Sequence, residues 1–345
     1  MRATRLLIMP ALGLALAAGL VAAEALAQQK APAGKPITIA MAVTPPNLVH
    51  IPPYLARDLG YFKEEGLDVQ IISFEGGIGS LRTVLANAAD IALSSGNPII
   101  ISRAKGAPIR AIYSAAPRLE AALVVSGDIR EPKDLKGRKI GIQEVGGFAD
   151  ILTKRVLLMH GIKFNEVQFI STSTAGRIPA LLTGQVDTGI MHVEQAIRAL
   201  KRKPSLRTLV RYWEAFPDWW YNGFAAHEQR LRGTPDVIAG ALRAMIKANR
   251  FIYRNKEKAL EFGTEYTGYT VEELEPTLDQ FIKGKVFSVN DGLPERSLMF
   301  NVDQMIRVGN IPKDKRPTYD FLADRGPVNA ALEKLGRWTD DPKWQ

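Results

Sequence analysis

Short apolar runs rich in β-branched residues alternate with stretches whose apolar positions recur every three or four residues. Ile37–Val43 reads as a first strand, bounded by Pro36 and by Thr44-Pro45-Pro46. Pro52 and Pro53 open a helical stretch over Tyr54–Tyr61, with Leu55, Leu59 and Phe62 at helical spacing. Proline suits a first turn, where its missing N–H would have had no partner. Gly66–Pro98 then spells strand Val69–Phe74, a glycine-bearing loop, a helix, and strand Ile91–Leu93. Gly161–Gln195 repeats the unit, setting Val167–Thr172 against Val69–Phe74, Gly176 against Gly79, Leu182 against Leu85 and Asp187 against Asp90. The second copy ends its helix at Gly184, whereas the first has Asn87-Ala88-Ala89-Asp90.

Between the copies, Pro98–Lys105 reads as a helix, and Ile109–Tyr113 and Ala121–Val125 as strands. Lys139–Gln143 reads as a further strand, followed by a helix carrying Ile151, Leu152, Val156 and Met159. Thr208–Tyr212 is a strand after the second copy. From Thr234 onward the pattern is helical, with Ile238, Leu242, Ile246 and Phe251 on one face. A capping box at Thr270-x-x-Glu273 opens the next helix, and helices around Leu298–Val308 and Val328–Leu335 complete the tail. That tail is expected to pack on the first lobe.

Strand–helix–strand alternation with short connections implies parallel strands crossed by helices. A repeated unit in one chain predicts two α/β lobes and a cleft between them. Gly127–Gly137, charged and without period, is expected to be the first crossing between lobes, and Pro217–Gly223 the return. The expected division is lobe 1 over 36–126 and 222–345, and lobe 2 over 127–221.

Composition narrows the function. Met1 to Ala27 has Arg2 and Arg5, a low-charge run Leu6–Ala23, and small residues in Ala25-Leu26-Ala27. It reads as a signal peptide cleaved after Ala27, which predicts a periplasmic protein, with 28–35 as a linker. The chain contains no cysteine, so lipid anchoring at that residue, disulfides and thiol chemistry are excluded. The net charge of +9 is spread out, clustering only at Lys201-Arg202-Lys203 and Lys313–Arg316, so no nucleic-acid partner is expected. No H-E-x-x-H, G-x-S-x-G or Walker pattern occurs, and His50, His160, His192 and His227 lack metal-ligand spacing, so neither a metal nor a cofactor is expected.

In open parallel sheets a ligand lies beyond the carboxyl ends of strands, where loops lead into helices. The loops so selected are Thr44–His50, Phe74–Gly79, Ser94–Asn97 and Ser114–Arg118, then Glu144–Phe148, Thr172–Gly176 and Met191–Glu194. Small and glycine-bearing, they let a ligand approach backbone N–H groups. The candidate ligand contacts are Thr44, Asn47, His50, Phe74, Gly76, Gly77, Ser94, Ser95, Asn97 and Ser114 from the first lobe. From the second come Gly146, Gly147, Phe148, Thr172 and His192, with Trp219 and Trp220 at the return crossing. Those tryptophans belong to an aromatic cluster from Tyr212 to Phe224 that serves equally as core, and His192 equally as a satisfied polar residue. Asp90 and Asp187 read as structural. Arg118 and Arg177 suit a ligand carboxylate or sulfonate, or solvent, while Glu194 suits an amine or ring N–H.

LGYFKEEGLDVQII, with Asp134–Ile140 (DLKGRKI), Thr183–Asp187 (TGQVD) and Ile252–Ala259 (IYRNKEKA), resembles the periplasmic solute-binding proteins of ABC importers. The nearest branch serves nitrate, alkanesulfonate, taurine and thiamine-pyrimidine uptake. The resemblance implies a type II periplasmic binding fold, the Venus flytrap: two lobes, each a mixed, mostly parallel sheet flanked by helices, joined by two hinge crossings. It also implies a monomer that captures a small organic solute (a sulfonate, a carboxylate, or an aromatic or heterocyclic compound) by hinge closure and presents it to an inner-membrane ABC permease, and that is not an enzyme. A ligand-sensing module for a membrane receptor is the alternative, with a periplasmic enzyme on the same fold behind it.

Overall fold

The computed structural model describes residues 34–339, so the expected signal peptide and nearly all of the linker lie outside the described residues. The described strands are β1 Lys35–Met41, β2 Leu67–Ser73, β3 Ile91–Ser95, β4 Ile109–Tyr113, β5 Ala121–Val125, β6 Lys139–Ile142, β7 Gln168–Ser171, β8 Thr188–His192, β9 Arg207–Arg211 and β10 Asn222–His227. They form two five-stranded sheets, ordered β2-β1-β3-β10-β4 and β7-β6-β8-β5-β9. In the first, β1 runs parallel to β2 and β3 while β10 is antiparallel to β3 and β4. In the second, β6 is parallel to β7 and β8 while β5 is antiparallel to β8 and β9.

Each sheet therefore contains one strand from the other half of the chain. β5 leaves the first half to join the second sheet, and β10 returns from the second half to join the first. This corrects the expected boundary: the first passage is Ser114–Glu120, and Gly127–Gly137 lies inside the second lobe, between β5 and β6. There Asp134 accepts from the backbone N–H groups of Arg130 and Glu131 in a tight turn. Charge, proline and glycine mark such a loop but carry no information about which sheet the strand before it joins. β5, AALVV, is buried along its whole length and would read alike in either sheet.

The repeat is physical. Asp90 Oδ2 accepts from Thr38 N at 2.7 Å in β1, and Asp187 Oδ2 accepts from Lys139 N at 2.8 Å in β6. The backbone N–H groups of the same aspartates bond back to the carbonyls of Thr38 and Lys139. Each aspartate thus fastens the end of its helix–strand turn to the neighbouring parallel strand, a structural role as the sequence suggests. The glycine missing from the first copy is replaced in kind: Asn87 adopts φ +55°, matching Gly184 at +77°. Asparagine is among the few side chains that tolerate the left-handed region.

The aromatic cluster is core at the crossing. The Trp220 backbone N–H donates to Asn301 Oδ1 at 3.0 Å, and Asn301 Nδ2 donates to the Trp220 carbonyl at 2.8 Å and to Asn97 Oδ1 at 3.2 Å. Trp220 Nε1 donates to the Gly292 carbonyl. A Cβ on Gly96 or Gly223 would fall 2.5 or 2.4 Å from the indole, so these two glycines admit the ring. Trp219 packs between Phe216 and Phe300. Trp219, Trp220 and Asn97 are therefore hinge packing instead of cleft lining. They sit where both passages and the tail must be filled at once.

The tail departs from expectation too. Its helix Pro235–Arg254 packs on helices of the first lobe, but helix Val271–Gly284 packs on Val193–Arg202 of the second. Arg198 pairs with Glu273 and lies 3.3 Å from the Tyr269 ring centroid, and Arg155 Nε donates to Gln304 Oε1 at 2.7 Å. Trp220→Ala removes a fully buried indole and a bonded N–H at this junction. It is expected to lower unfolding free energy by about 3–5 kcal/mol in urea titration.

Candidate functional site

The carboxyl ends of β1 and β3 face those of β6 and β8, and the loops beyond them meet in a small chamber of about 30 Å³. That volume admits a water molecule or two, so the lobes are closed on each other. The chamber is lined by His50, Gly76, Gly77, Ser94, Ser95, Phe148 and His192, as the strand-end rule predicts, and also by Gln143, Glu144, Arg177 and Tyr221. A wider hollow of about 740 Å³ lies against both crossings, between Arg118, Pro217, Trp219, Asp291, Arg325 and Trp338. It holds no strand end. The smaller chamber is the stronger candidate, because strand-end loops from both lobes and unpartnered buried polar atoms converge on it.

The remaining expected contacts fall elsewhere. Thr44 is exposed and Phe74 packs half-buried near Gly79. Ser114 is drawn into the crossing, where its hydroxyl donates to Asn222 Oδ1 at 3.2 Å. Thr172 leans on β6, and its neighbour Thr174 faces the seam instead, accepting from Gln143 Nε2 at 2.6 Å. Gly147 folds round the Glu144 side chain, since a Cβ there would lie 2.5 Å from Glu144 Cγ, while a Cβ on Gly146 would lie 4.0 Å from Ile78 Cδ1. Asn47 is buried with Nδ2 unpartnered.

Bonds across the seam are polar and reciprocal. Glu144 of the second lobe accepts from Ile78 N at 3.1 Å, and also from Gly77 N, at the start of helix Gly77–Leu85. Glu75 of the first lobe accepts from Thr174 N at 3.1 Å, and Glu194 accepts from Leu48 N at 3.1 Å. Behind them runs a buried chain. His50 Nε2 meets the Tyr221 hydroxyl at 2.9 Å, the same hydroxyl lies 3.5 Å from His192 Nε2, and His192 Nδ1 bonds Glu120. Phe148 stacks on His192 with centroids 5.9 Å apart, and its edge meets Tyr221.

Arg177 shows how the repeat diverged. Ser80 in the first copy donates its hydroxyl to the Leu93 carbonyl at 2.7 Å, and at the matching place Arg177 Nη1 donates to the Ile190 carbonyl at 3.0 Å. The longer side chain also reaches Gln195 Oε1 at 3.2 Å. One position has kept its task of holding the next strand and gained a buried cation beside the chamber.

Burial decides the charges. It raises the Glu120 carboxyl well above the usual range and lowers His192 to about 3, which favours the uncharged pair. His50 is held well below its ordinary value by burial, then by His192 and Arg177. Burial and the nearby Glu120 raise Glu194 to about 7, and burial also raises Glu144 against its two backbone bonds. Ser94 Oγ, His50 Nδ1 and Glu194 Oε2 are buried without partners. Glu120 carried no sequence signal, lying in a crossing with no motif. Glu144 lay in a selected loop, but neither its direction nor its partner was readable from the chain.

A family model described as NMT1/THI5 like matches residues 47–259. The chain is 23% identical over 274 residues to the putative binding protein YtlA of Bacillus subtilis (strain 168), covering 77% of this chain and 82% of that one. It is 25% identical over 224 residues to the formylaminopyrimidine-binding protein of Halalkalibacterium halodurans, covering 62% and 66%. Among solved structures, the periplasmic nitrate-binding protein NrtA of Synechocystis PCC 6803 matches with a TM-score of 0.74 at 14% identity, over 90% of this chain and 91% of that one. The last likeness establishes the fold, the type II arrangement found in solute-binding components of ABC importers.

The raised Glu194 carboxyl has a measurable consequence. Its folded pKa of about 7 exceeds the ordinary 4.5, so its protonated form stabilises the fold at low pH and that contribution is lost as pH rises through 7. Glu194→Gln keeps an acceptor for Leu48 N and cannot ionise. Its stability relative to the parent is expected to rise by about 3 kcal/mol from pH 5 to pH 8.5, followed by urea unfolding at each pH.

Proposed function

The chain belongs to the NMT1/THI5-like family, and we propose that it is the solute-capturing component of an ABC importer, acting as a monomer in the periplasm. Its two lobes close on a small organic solute, and the closed form presents that solute to an inner-membrane permease. The observation that carries the reading is the seam itself. Buried polar groups from both lobes meet at opposed strand ends, and two of them, His50 Nδ1 and Ser94 Oγ, keep a hydrogen-bonding atom free for a partner. No helix among the described residues is long and apolar enough to cross a membrane.

Closure follows from the geometry. In the closed form Glu144, Glu75 and Glu194 bond backbone N–H groups of the opposite lobe, and Tyr221 at the return passage bonds His50. Opening exchanges these bonds for water. A solute that contacts both lobes binds the closed form better and raises its population by that difference in affinity. The passages Ser114–Glu120 and 212–221 take up the motion, because only they connect the sheets. The buried Glu120–His192–Tyr221–His50 chain supports a second reading, an enzyme moving a proton within the cleft.

Native mass spectrometry of the chain after exposure to a metabolite extract is expected to show a small molecule retained unaltered. Turnover of that molecule would favour the enzyme. Ser94→Ala removes an unpartnered buried hydroxyl at the chamber wall. It is expected to leave stability unchanged or slightly raised, yet to weaken the solute by about tenfold in calorimetry, the worth of one hydrogen bond to a buried group. Unchanged affinity would place the solute elsewhere.

A further inference from the structure

Resting on the reading of the seam as the solute site, the geometry points to the kind of solute it takes. We propose that Glu144 is a charge filter: its carboxylate fills the backbone-donor cradle that an anionic solute would need, leaving the cleft selective for a neutral or cationic, planar solute that donates N–H bonds.

The start of helix Gly77–Leu85 is where an anion would be expected, since unpaired N–H groups and the helix dipole both favour negative charge. Here Glu144 already occupies it through Ile78 N and Gly77 N. The fit is built in. Gly76 has φ +104°, and a Cβ there would sit 2.6 Å from the carboxylate carbon, so the loop is shaped to admit this group. Gly147 leaves matching room along the stem of the same side chain. Glu75 of the first lobe likewise takes the Thr174 N–H of the second. The buried cation of the region, Arg177, spends the bonds of its Nη1 on the Ile190 carbonyl and Gln195.

What remains open is acceptor-rich. At the chamber wall Ser94 Oγ and His50 Nδ1 have no partner, and each can accept as well as donate. Phe148 and His192, both of the second lobe and with rings 4° from parallel, give that wall of the chamber an aromatic surface on which a flat ring or amidine would stack. A sulfonate or nitrate entering this chamber would meet the Glu144 carboxylate and find the donors at the start of helix Gly77–Leu85 taken.

Calorimetry of the full chain and of Glu144→Ala and Glu144→Gln tests this, with methanesulfonate, nitrate and benzamidine as probes. The parent is expected to bind benzamidine more tightly than either anion. Glu144→Ala is expected to gain methanesulfonate affinity by about tenfold or more, with Glu144→Gln between it and the parent. Loss of a lobe-to-lobe latch alone would weaken every probe, so a gain confined to anions is specific to the filter. The proposal is overturned if the parent binds an anion as tightly as Glu144→Ala does, or if the variants gain none. Should Glu144→Ala fail to fold, the comparison of Glu144→Gln with the parent decides. Failure of solute capture itself shows separately, as no molecule retained from an extract by the parent.

Discussion

The exchange of one strand between the halves constrains everything else in this molecule. β10 lies between β3 and β4, and β5 between β8 and β9, so neither sheet is complete without the other half of the chain. Two passages must then run side by side between the lobes, and both end in interior strands, β5 buried throughout and β10 buried except at His227. Their junction has to be filled and hydrogen-bonded, which is the task of Trp220, Asn301 and Asn97. With the hinge fixed in this way, the carboxyl ends of the parallel strands are brought face to face. The chamber is a consequence of the exchange.

Burying carboxylates in that chamber is costly unless each finds donors. The seam meets the requirement with backbone N–H groups of the opposite lobe, so the desolvation problem and the closure of the clamp have one solution. Glu144 is satisfied only when the lobes are together, or when water reaches it, and the exposed Glu75 adds its own bond to Thr174 N across the seam. Each such bond contributes about 1.5–3 kcal/mol when charged, offset by what water supplied in the open form. The resulting balance lies within reach of a bound solute's own contacts, as a clamp that must reopen requires.

The repeat gives each lobe the same skeleton and lets the chemistry diverge upon it. Asp90 and Asp187 have kept one job, and Asn87 and Gly184 solve one backbone problem with different residues. Ser80 and Arg177 hold the same carbonyl of the strand that follows, yet only the arginine carries charge toward the cleft. His192 of the second lobe stands where Ser95 stands in the first, each at the end of its strand. The asymmetry that a solute meets is thus written on a symmetric frame.

Periodicity and the repeat determined the strands, the helices and the two lobes, because these depend on local spacing and on burial of one face. The strand-end rule placed His50, Gly76, Gly77, Ser94, Ser95, Phe148 and His192 at the chamber, since a loop's position follows from the order of elements. Three things escaped it. β10, NGFAAH, has neither alternation nor bulk, because a central strand is buried on both faces by its neighbours. The aromatic run 212–224 could serve core or cleft equally, and only packing sent Trp219 and Trp220 inward while leaving Tyr221, one residue on, at the chamber wall. The roles of Glu120, Glu144 and Glu75 depended on partners far along the chain, in two cases from the opposite lobe. Sequence spacing records what lies within a turn or two of a residue. What a carboxylate meets across a seam exists only once the lobes have closed.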